Sequence, residues 1–117
     1  MPSLTFREIA VHLRTVPEWS RSAQTIARTF QFEGFVKSID FVKRVAREAQ
    51  RADHHPDIDI RYDKVTLKLT THDEGGLTAK DFSLATKCDA INTRYFTPHA
   101  ESTPDGGKKP PMKKRRL

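Results

Sequence analysis

The segment from Gly34 to Arg51 constrains the fold most, because its apolar residues repeat at the spacing of a helix. The intervals are four, three, four and three residues, and two valines widen the stripe (Phe35, Ile39, Val42, Ala46 and Ala49, with Val36 and Val45). Such intervals place side chains on one helical face. The pattern predicts a helix that covers a sheet and leaves apolar surface for a partner helix.

The residues that follow this helix predict a β-hairpin over Asp57 to Thr71. Apolar residues alternate with other residues on both arms, and Asp63-Lys64 is the predicted turn (Ile58, Ile60 and Tyr62; Val65, Leu67 and Leu69). Alternation at a period of two is typical of a strand with one buried face. The two ends of a hairpin lie close together, so residues near 54 and 72 are expected to be neighbours.

Two further helices begin at recognisable caps. Thr5-x-x-Glu8 has the spacing of a capping box, and an apolar face follows before Pro17 (Phe6, Ile9, Ala10 and Leu13). Thr78 follows the tight connection Glu74-Gly75-Gly76 and caps a last helix (apolar positions Leu84, Ala85, Cys88, Ile91 and Tyr95). Both segments are therefore predicted to be helical.

The segment between the first two helices predicts two strands. A short strand is expected around Trp19, and a longer one over residues 25–32, which are rich in β-branched and aromatic side chains. The element order is then α-β-β-α-β-β-α. This order predicts an α+β fold with a four-stranded antiparallel sheet and three helices packed on one face.

The charge distribution divides the chain into residues 1–96 and 97–117. The second part contributes +4 of the formal net charge of +6, so the first part is not a basic nucleic-acid surface. Residues 97–117 are rich in proline, glycine and lysine and predict a disordered basic tail. The chain has one cysteine, no apolar run long enough for a membrane span and no secretory signal pattern, which favours a cytoplasmic location.

The candidate functional residues cluster around three of the five histidines, His54, His55 and His72. Histidine is the side chain whose charge changes most readily near neutral pH. Pro56-Asp57 follows the first pair, and Asp81 comes soon after His72. The cluster is therefore a candidate for proton transfer or for metal binding.

Two of the possible chemistries fit the spacing poorly. Zinc is disfavoured because adjacent His54 and His55 diverge on extended backbone, and the chain has neither an HExxH motif nor a cysteine pair. Nucleophilic catalysis is disfavoured because Cys88 lies on the inner stripe of the last helix, where it is predicted to be a small buried hydrophobe. Acid–base chemistry fits better, with Asp81 holding one imidazole in a chosen tautomer.

Structural explanations for the same residues stay open at this point. Thr78-x-x-Asp81 has capping-box spacing, so Asp81 could be a helix cap, a catalytic group or both. A His-His-Pro sequence is often an exposed turn. Phe30, Phe32 and Phe35 are predicted to be core residues. Spacing alone does not decide whether the histidine cluster is functional.

A family resemblance adds to this interpretation. The chain resembles the pterin-4a-carbinolamine dehydratases over residues 19–91, through motifs whose spacing agrees without a gap (Phe30-x-Phe32-x-x-Phe35, His54-His55-Pro56-Asp57, Tyr62, Thr71-His72-Asp73, Gly75-Gly76-Leu77-Thr78 and Asp81). The resemblance implies dehydration of 4a-hydroxytetrahydropterins to quinonoid dihydropterins. It implies no metal and no organic cofactor, and it places the activity in the recycling of the pterin used by aromatic amino-acid hydroxylases.

The same resemblance implies roles for individual residues. His54 and His72 are the expected acid–base pair, His55 positions the pterin, and Asp81 orients an imidazole or completes the site. The implied pterin-binding residues are His55, Pro56, Asp57, Thr71 and Asp73. The resemblance also implies dimers that join their sheets, and tetramers that pair through helices.

Gln50 departs from the family pattern, which commonly has an acidic residue four positions before the first histidine. Glutamine forms hydrogen bonds but carries no negative charge. It therefore supports a neighbouring imidazolium less well than a carboxylate does, and Gln50 is a possible accessory residue of the site. Ile58 also replaces an aromatic residue found near this place in some relatives, which is expected to loosen one wall of the pocket.

An alternative function follows from the animal members of the family, which also act as dimerisation cofactors of homeodomain transcription factors. The basic segment at residues 108–116 resembles a nuclear-import signal, which would add a nuclear location. A solvated tail without any such signal explains the same residues. The dehydratase and the protein-binding module are thus the two functions to separate.

Overall fold

The computed structural model describes residues 3–96, and it confirms the predicted α+β fold and element order. The elements are α1 (Phe6–Leu13), β1 (Ser20–Ser22), β2 (Thr25–Gln31), α2 (Phe35–Ala52), β3 (Asp57–Arg61), β4 (Lys64–Leu69) and α3 (Ala79–Tyr95), with a 3-10 turn at His72–Glu74. The strands form one antiparallel sheet in the order β1-β2-β4-β3. The predicted disordered tail, residues 97–117, lies outside the described residues.

One face of the sheet carries the hydrophobic core. The inward side chains of the two central strands are almost completely buried (Ile26 and Phe30 on β2; Val65, Leu67 and Leu69 on β4). The opposite face is polar, and there the hydroxyls of Thr29 and Thr66 lie 2.8 Å apart across the strands. The helices therefore cover a single face, as the alternation on the hairpin requires.

The residues of α2 that face the core differ in part from the predicted apolar stripe. The buried positions are Ser38, Phe41, Val45 and Ala49. Phe41 was absent from the predicted stripe, yet its ring packs 4.7 Å from that of Phe30 and 4.9 Å from that of Phe32. Because the apolar surface is wider than the sheet can cover, one side of it stays outside the core.

Phe35 lies on that uncovered side, and its prediction as a core residue was wrong. It is 52% exposed, and the neighbouring Val36 is also exposed. Phe30 and Phe32 are buried, as predicted. Phe6 of α1 is another predicted face residue that the structure exposes. The first turns of α1 and α2 thus present apolar rings at the surface.

The hairpin turn lies one residue earlier than predicted. Arg61 pairs with Lys64, so the two-residue turn is Tyr62-Asp63. Tyr62 adopts a left-handed conformation with φ of 55° and is exposed. The amide of Phe32 donates to the carbonyl of Asp63 at 2.8 Å, which fixes the turn against the end of β2. Tyr62 therefore belongs to the turn and not to the alternating face.

Both predicted capping boxes are present. The amide of Glu8 donates to Thr5 Oγ1 at 3.2 Å, and the Glu8 carboxylate accepts from the Thr5 amide at 2.8 Å. Thr78 and Asp81 form the equivalent pair at the start of α3. Across residues 3–96, no helix combines the length and the hydropathy that crossing a membrane would require.

Candidate functional site

The end of α2 determines where His54 lies. Asp53 follows the helix in a left-handed conformation, with φ of 51°. The amide of His54 then donates to the carbonyl of Ala49 at 3.0 Å, which satisfies one of the last carbonyls of the helix. The chain reverses at Asp53 and brings His54 beside the first turn of α3.

His54 forms a short hydrogen bond with Asp81. Its Nε2 lies 2.6 Å from Oδ1 of Asp81, with the His54 side chain 10% exposed and that of Asp81 fully buried. An ionised carboxylate only accepts hydrogen bonds, so Nε2 carries the proton. In the neutral ring, Nδ1 is then the nitrogen left for another molecule. An ionised Asp81 therefore selects this tautomer of His54, while its role in catalysis stays a prediction.

The second oxygen of Asp81 is held by two threonines. Oδ2 accepts from the Thr71 hydroxyl at 2.8 Å and from the Thr78 amide at 2.9 Å. Thr71 Oγ1 also lies 2.9 Å from Thr78 Oγ1. Because Thr71 gives its one hydroxyl proton to Asp81, Thr78 must donate to Thr71. Asp81 is consequently both the helix cap and the partner of His54.

This buried network also places the next candidate residue, His72. Thr71 pairs with Gly76 in an isolated bridge, and His72 begins the 3-10 turn enclosed by that bridge. The prediction that the return strand of the hairpin runs to Thr71, directly before His72, was wrong, since β4 stops at Leu69 and Gly75 turns the chain in a left-handed conformation, with φ of 78°. Among residues 3–96, the exposed His72 ring has no hydrogen-bonding partner.

The loop that carries His72 is tied to the turn between β1 and β2. The hydroxyl of Thr70 donates to the carbonyl of Gln24 at 2.6 Å, and the amide of Leu77 donates to Gln24 Oε1 at 3.4 Å. A side chain at Gly76 would collide with this glutamine. Gln24 therefore fixes both ends of the loop, a role that its sequence context did not reveal.

His55 points to a different partner from its neighbour. Its Nε2 donates to Oε1 of Gln50 at 3.0 Å, and both side chains are exposed. Gln50 is thus an immediate neighbour of His55. His54 and His55 diverge, as adjacent residues on extended backbone must.

The remaining predicted site residues lie around this arrangement. Pro56 is half-buried between His55 and β3, and Asp57 opens β3 opposite Lys68 on the polar face of the sheet. Asp73 is exposed in the 3-10 turn. Their contacts with a substrate stay predictions, as does that of Thr71, whose hydroxyl is engaged by Asp81. In the described part of the chain, no three histidine, cysteine or acidic side chains are arranged to hold a metal ion.

Cys88 is completely buried on α3, as predicted. Burial raises the pKa of its thiol from 9.0 to about 12, with smaller contributions from Asp89 and Glu48. The thiolate is the reactive form, so Cys88 is expected to resist a thiol-specific disulfide reagent at pH 8 in the native protein and to react fully in denaturant. Rapid labelling of the native protein would contradict this burial.

The sequence motifs located the three histidines and Asp81, but not the link between them. Thr78 was assigned only as a cap, and its hydroxyl proves to support Thr71. The capping-box spacing of Thr78 and Asp81 was the one signal of this role, because it brings both residues to the same helical turn. Gln24 lies far from the cluster in sequence and gave no signal.

The sequence matches known proteins over most of the described residues. Residues 2–91 match the family model described as pterin 4 alpha carbinolamine dehydratase. A Picosynechococcus protein is 52% identical over 88 residues, which cover 75% of this chain and 96% of the relative. A Chloroflexus aurantiacus protein is 54% identical over 91 residues, which cover 78% and 98%. Both relatives carry the name "Putative pterin-4-alpha-carbinolamine dehydratase".

One solved structure shows the same relationship, and a second shares only the fold. A crystal structure described as a transcriptional coactivator/pterin dehydratase from Brucella melitensis has a TM-score of 0.74 and 34% identity, covering 76% of this chain and 97% of that one. A pterin dehydratase-like RuBisCO assembly factor shares the fold alone, with a TM-score of 0.52 and 18% identity over 62% of this chain and 84% of that one. The chain therefore belongs to the pterin 4 alpha carbinolamine dehydratase family.

Proposed function

We propose that this protein is a dehydratase that eliminates water from 4a-hydroxytetrahydropterin by histidine acid–base catalysis. In this reaction the C4a–O bond breaks, and the proton on ring nitrogen N5 is removed. One histidine accepts the N5 proton, and the other protonates the departing hydroxide, which leaves as water. The product is the quinonoid dihydropterin, and His54 and His72 are the proposed acid–base pair.

The observation that carries this proposal is the buried contact between His54 Nε2 and Asp81 Oδ1, at 2.6 Å. It fixes one proton on the ring and leaves the opposite nitrogen for the substrate. Thr71 anchors the same carboxylate and directly precedes His72 in the chain. Two imidazoles in different environments, one held by a carboxylate and one exposed, suit opposite proton transfers.

The direct test is the rate at which chemically generated 4a-hydroxytetrahydropterin disappears, followed by absorbance with and without the protein. We expect a clear acceleration over the uncatalysed reaction that survives exhaustive chelation. An acceleration that chelator abolishes would favour a metal-dependent lyase. No acceleration at any protein concentration would remove the dehydratase proposal.

Gln50 offers a test of the environment of His55. In a Gln50→Glu variant, a carboxylate replaces the amide oxygen that lies 3.0 Å from His55 Nε2. The added negative charge favours the imidazolium form of His55 to higher pH, so we expect a rate change of about twofold to fivefold and a shifted pH–rate profile. A Gln31→Glu variant adds the same charge at an exposed position on β2, at the opposite end of the sheet from His55, and controls for net charge. A rate and profile identical to wild type would exclude this role for Gln50.

Self-association is a second part of the proposal. Phe35 and Val36 are exposed on α2, and β3 is an edge strand whose Ile58 and Ile60 are incompletely covered. Exposed apolar surface and an unpaired strand edge both favour association of copies. We propose a homodimer or homotetramer, and sedimentation equilibrium measures it directly. A monomeric mass at micromolar concentration would contradict it.

A protein-binding role is the alternative function. The Brucella melitensis relative is described as a transcriptional coactivator as well as a pterin dehydratase. The exposed apolar turn at Phe35 and Val36 gives such a partner a surface to contact. A protein that binds partners but does not accelerate pterin dehydration would favour this alternative over the enzyme.

A further inference from the structure

A pocket of about 240 Å³ adjoins His54 between the end of α2 and the exposed side of α3. Its lining includes Ala52, His54, Lys80, Ser83, Leu84 and Lys87. His54 Nε2 is occupied by Asp81, so the part of the ring that borders the pocket is the part a substrate can reach. The pocket is therefore continuous with the proposed catalytic histidine.

The charged side chains that line this pocket are two lysines, Lys80 and Lys87. Lys80 and Lys87 are seven residues apart on α3, close to two helical turns, which places them on the same side of the helix. Both are exposed, and among residues 3–96 neither ammonium group forms an ion pair. The lining contains no carboxylate. The pocket thus offers two cations and the Ser83 hydroxyl at its rim.

We propose that this pocket binds an anionic substituent on the side chain of the pterin, a phosphate or a carboxylate. The inference rests on the dehydratase function proposed above, because it assumes that the pterin ring contacts His54. Lysine ammonium groups bind phosphate and carboxylate as mobile point charges. Ala52 and Leu84 give the pocket apolar walls, which suit the short carbon chain that would link the ring to the anion.

Binding to stable oxidised pterins tests the pocket without requiring turnover. The ligands are a pterin with a neutral trihydroxypropyl side chain, its terminal phosphate monoester, and a pterin whose side chain of similar length ends in a carboxylate. We expect the wild type to bind at least one anionic ligand about tenfold more tightly than the neutral one, since two partly exposed charge contacts contribute. The ligand with the higher affinity shows whether the pocket selects a phosphate or a carboxylate.

Substitutions then assign the preference to the two lysines. Lys80→Gln and Lys87→Gln should each reduce the anionic-to-neutral affinity ratio by about threefold to fivefold. Lys43→Gln is the matched control, because Lys43 is an exposed lysine on α2 that lies outside the lining of this pocket. It should leave the ratio unchanged. Equal wild-type affinity for all three ligands, or a ratio that neither lysine variant alters, would overturn the proposal.

The dehydration assay separates failure of this inference from failure of the proposed function. Acceleration with a neutral 4a-hydroxytetrahydropterin, together with no anion preference in binding, would refute the pocket assignment alone. No acceleration with neutral or anionic substrates, together with lysine-dependent selection of the anionic pterin, would refute the dehydratase and support an anionic pterin-binding site.

Discussion

Replacing Asp81 with asparagine is expected to lower kcat by about 10²–10⁴-fold, the usual contribution of a positioned acid or base. The asparagine oxygen would have to accept from Thr71 and Thr78, as Oδ2 of Asp81 now does. Its amide group would then face His54 Nε2 and donate to it. That nitrogen would lose its proton to Nδ1, so the ring would present the wrong tautomer to the substrate.

Comparing the loss of kcat with the loss of thermal stability separates the orienting role of Asp81 from its role as a helix cap. Asparagine has nearly the same shape as aspartate and retains the cap, so the midpoint of thermal unfolding should fall only modestly. Asp40→Asn, an exposed substitution on α2, is the matched control for loss of one carboxylate. An Asp81→Asn variant that is folded and turns over pterin at the wild-type rate would show that Asp81 is a helix cap and nothing more.

The largest expected effect on stability comes from Phe41→Ala. Phe41 is fully buried, and its ring contacts Phe30, Phe32 and Phe96 at centroid distances of 4.7, 4.9 and 5.9 Å. Truncation removes a buried aromatic side chain and leaves a cavity between α2 and the sheet. We expect the free energy of unfolding to fall by about 3–5 kcal/mol.

Phe35→Ala is the control within the same helix. Because Phe35 is 52% exposed, its truncation should cost the monomer less than about 1 kcal/mol. Urea denaturation followed by circular dichroism measures both variants, at a protein concentration low enough to limit association. Equal losses for the two variants would mean that the predicted stripe, and not the observed one, forms the core.

Most of the fold could be predicted from local patterns. The alternation on β3 and β4, the capping pairs at Thr5 and Thr78, and the helical period of α2 each determine an element from nearby residues. The error in the core of α2 arose because the helix has more apolar surface than the sheet can cover. The stripe of α2 is too broad for its periodicity alone to show that Phe41 is buried and Phe35 exposed, because tertiary packing makes that choice.

The site was predictable as a set of residues but not as a network. Motif spacing named His54, His72 and Asp81, and the hairpin suggested that they approach each other. The exact partners depend on backbone features with weak sequence signals. The left-handed Asp53 aims His54 at α3, and the bridge from Thr71 to Gly76 forms a 3-10 turn at His72 where a strand end was predicted.

The central claim is that His54 and His72 act together as an acid and a base on one elimination step. Dehydration of 4a-hydroxytetrahydropterin by wild type, His54→Ala, His72→Ala and the double variant tests it most directly. We predict that each single variant loses about 10²-fold or more in kcat, and that the double variant loses much less than the product of the two. Single variants that match the wild-type rate would contradict the claim.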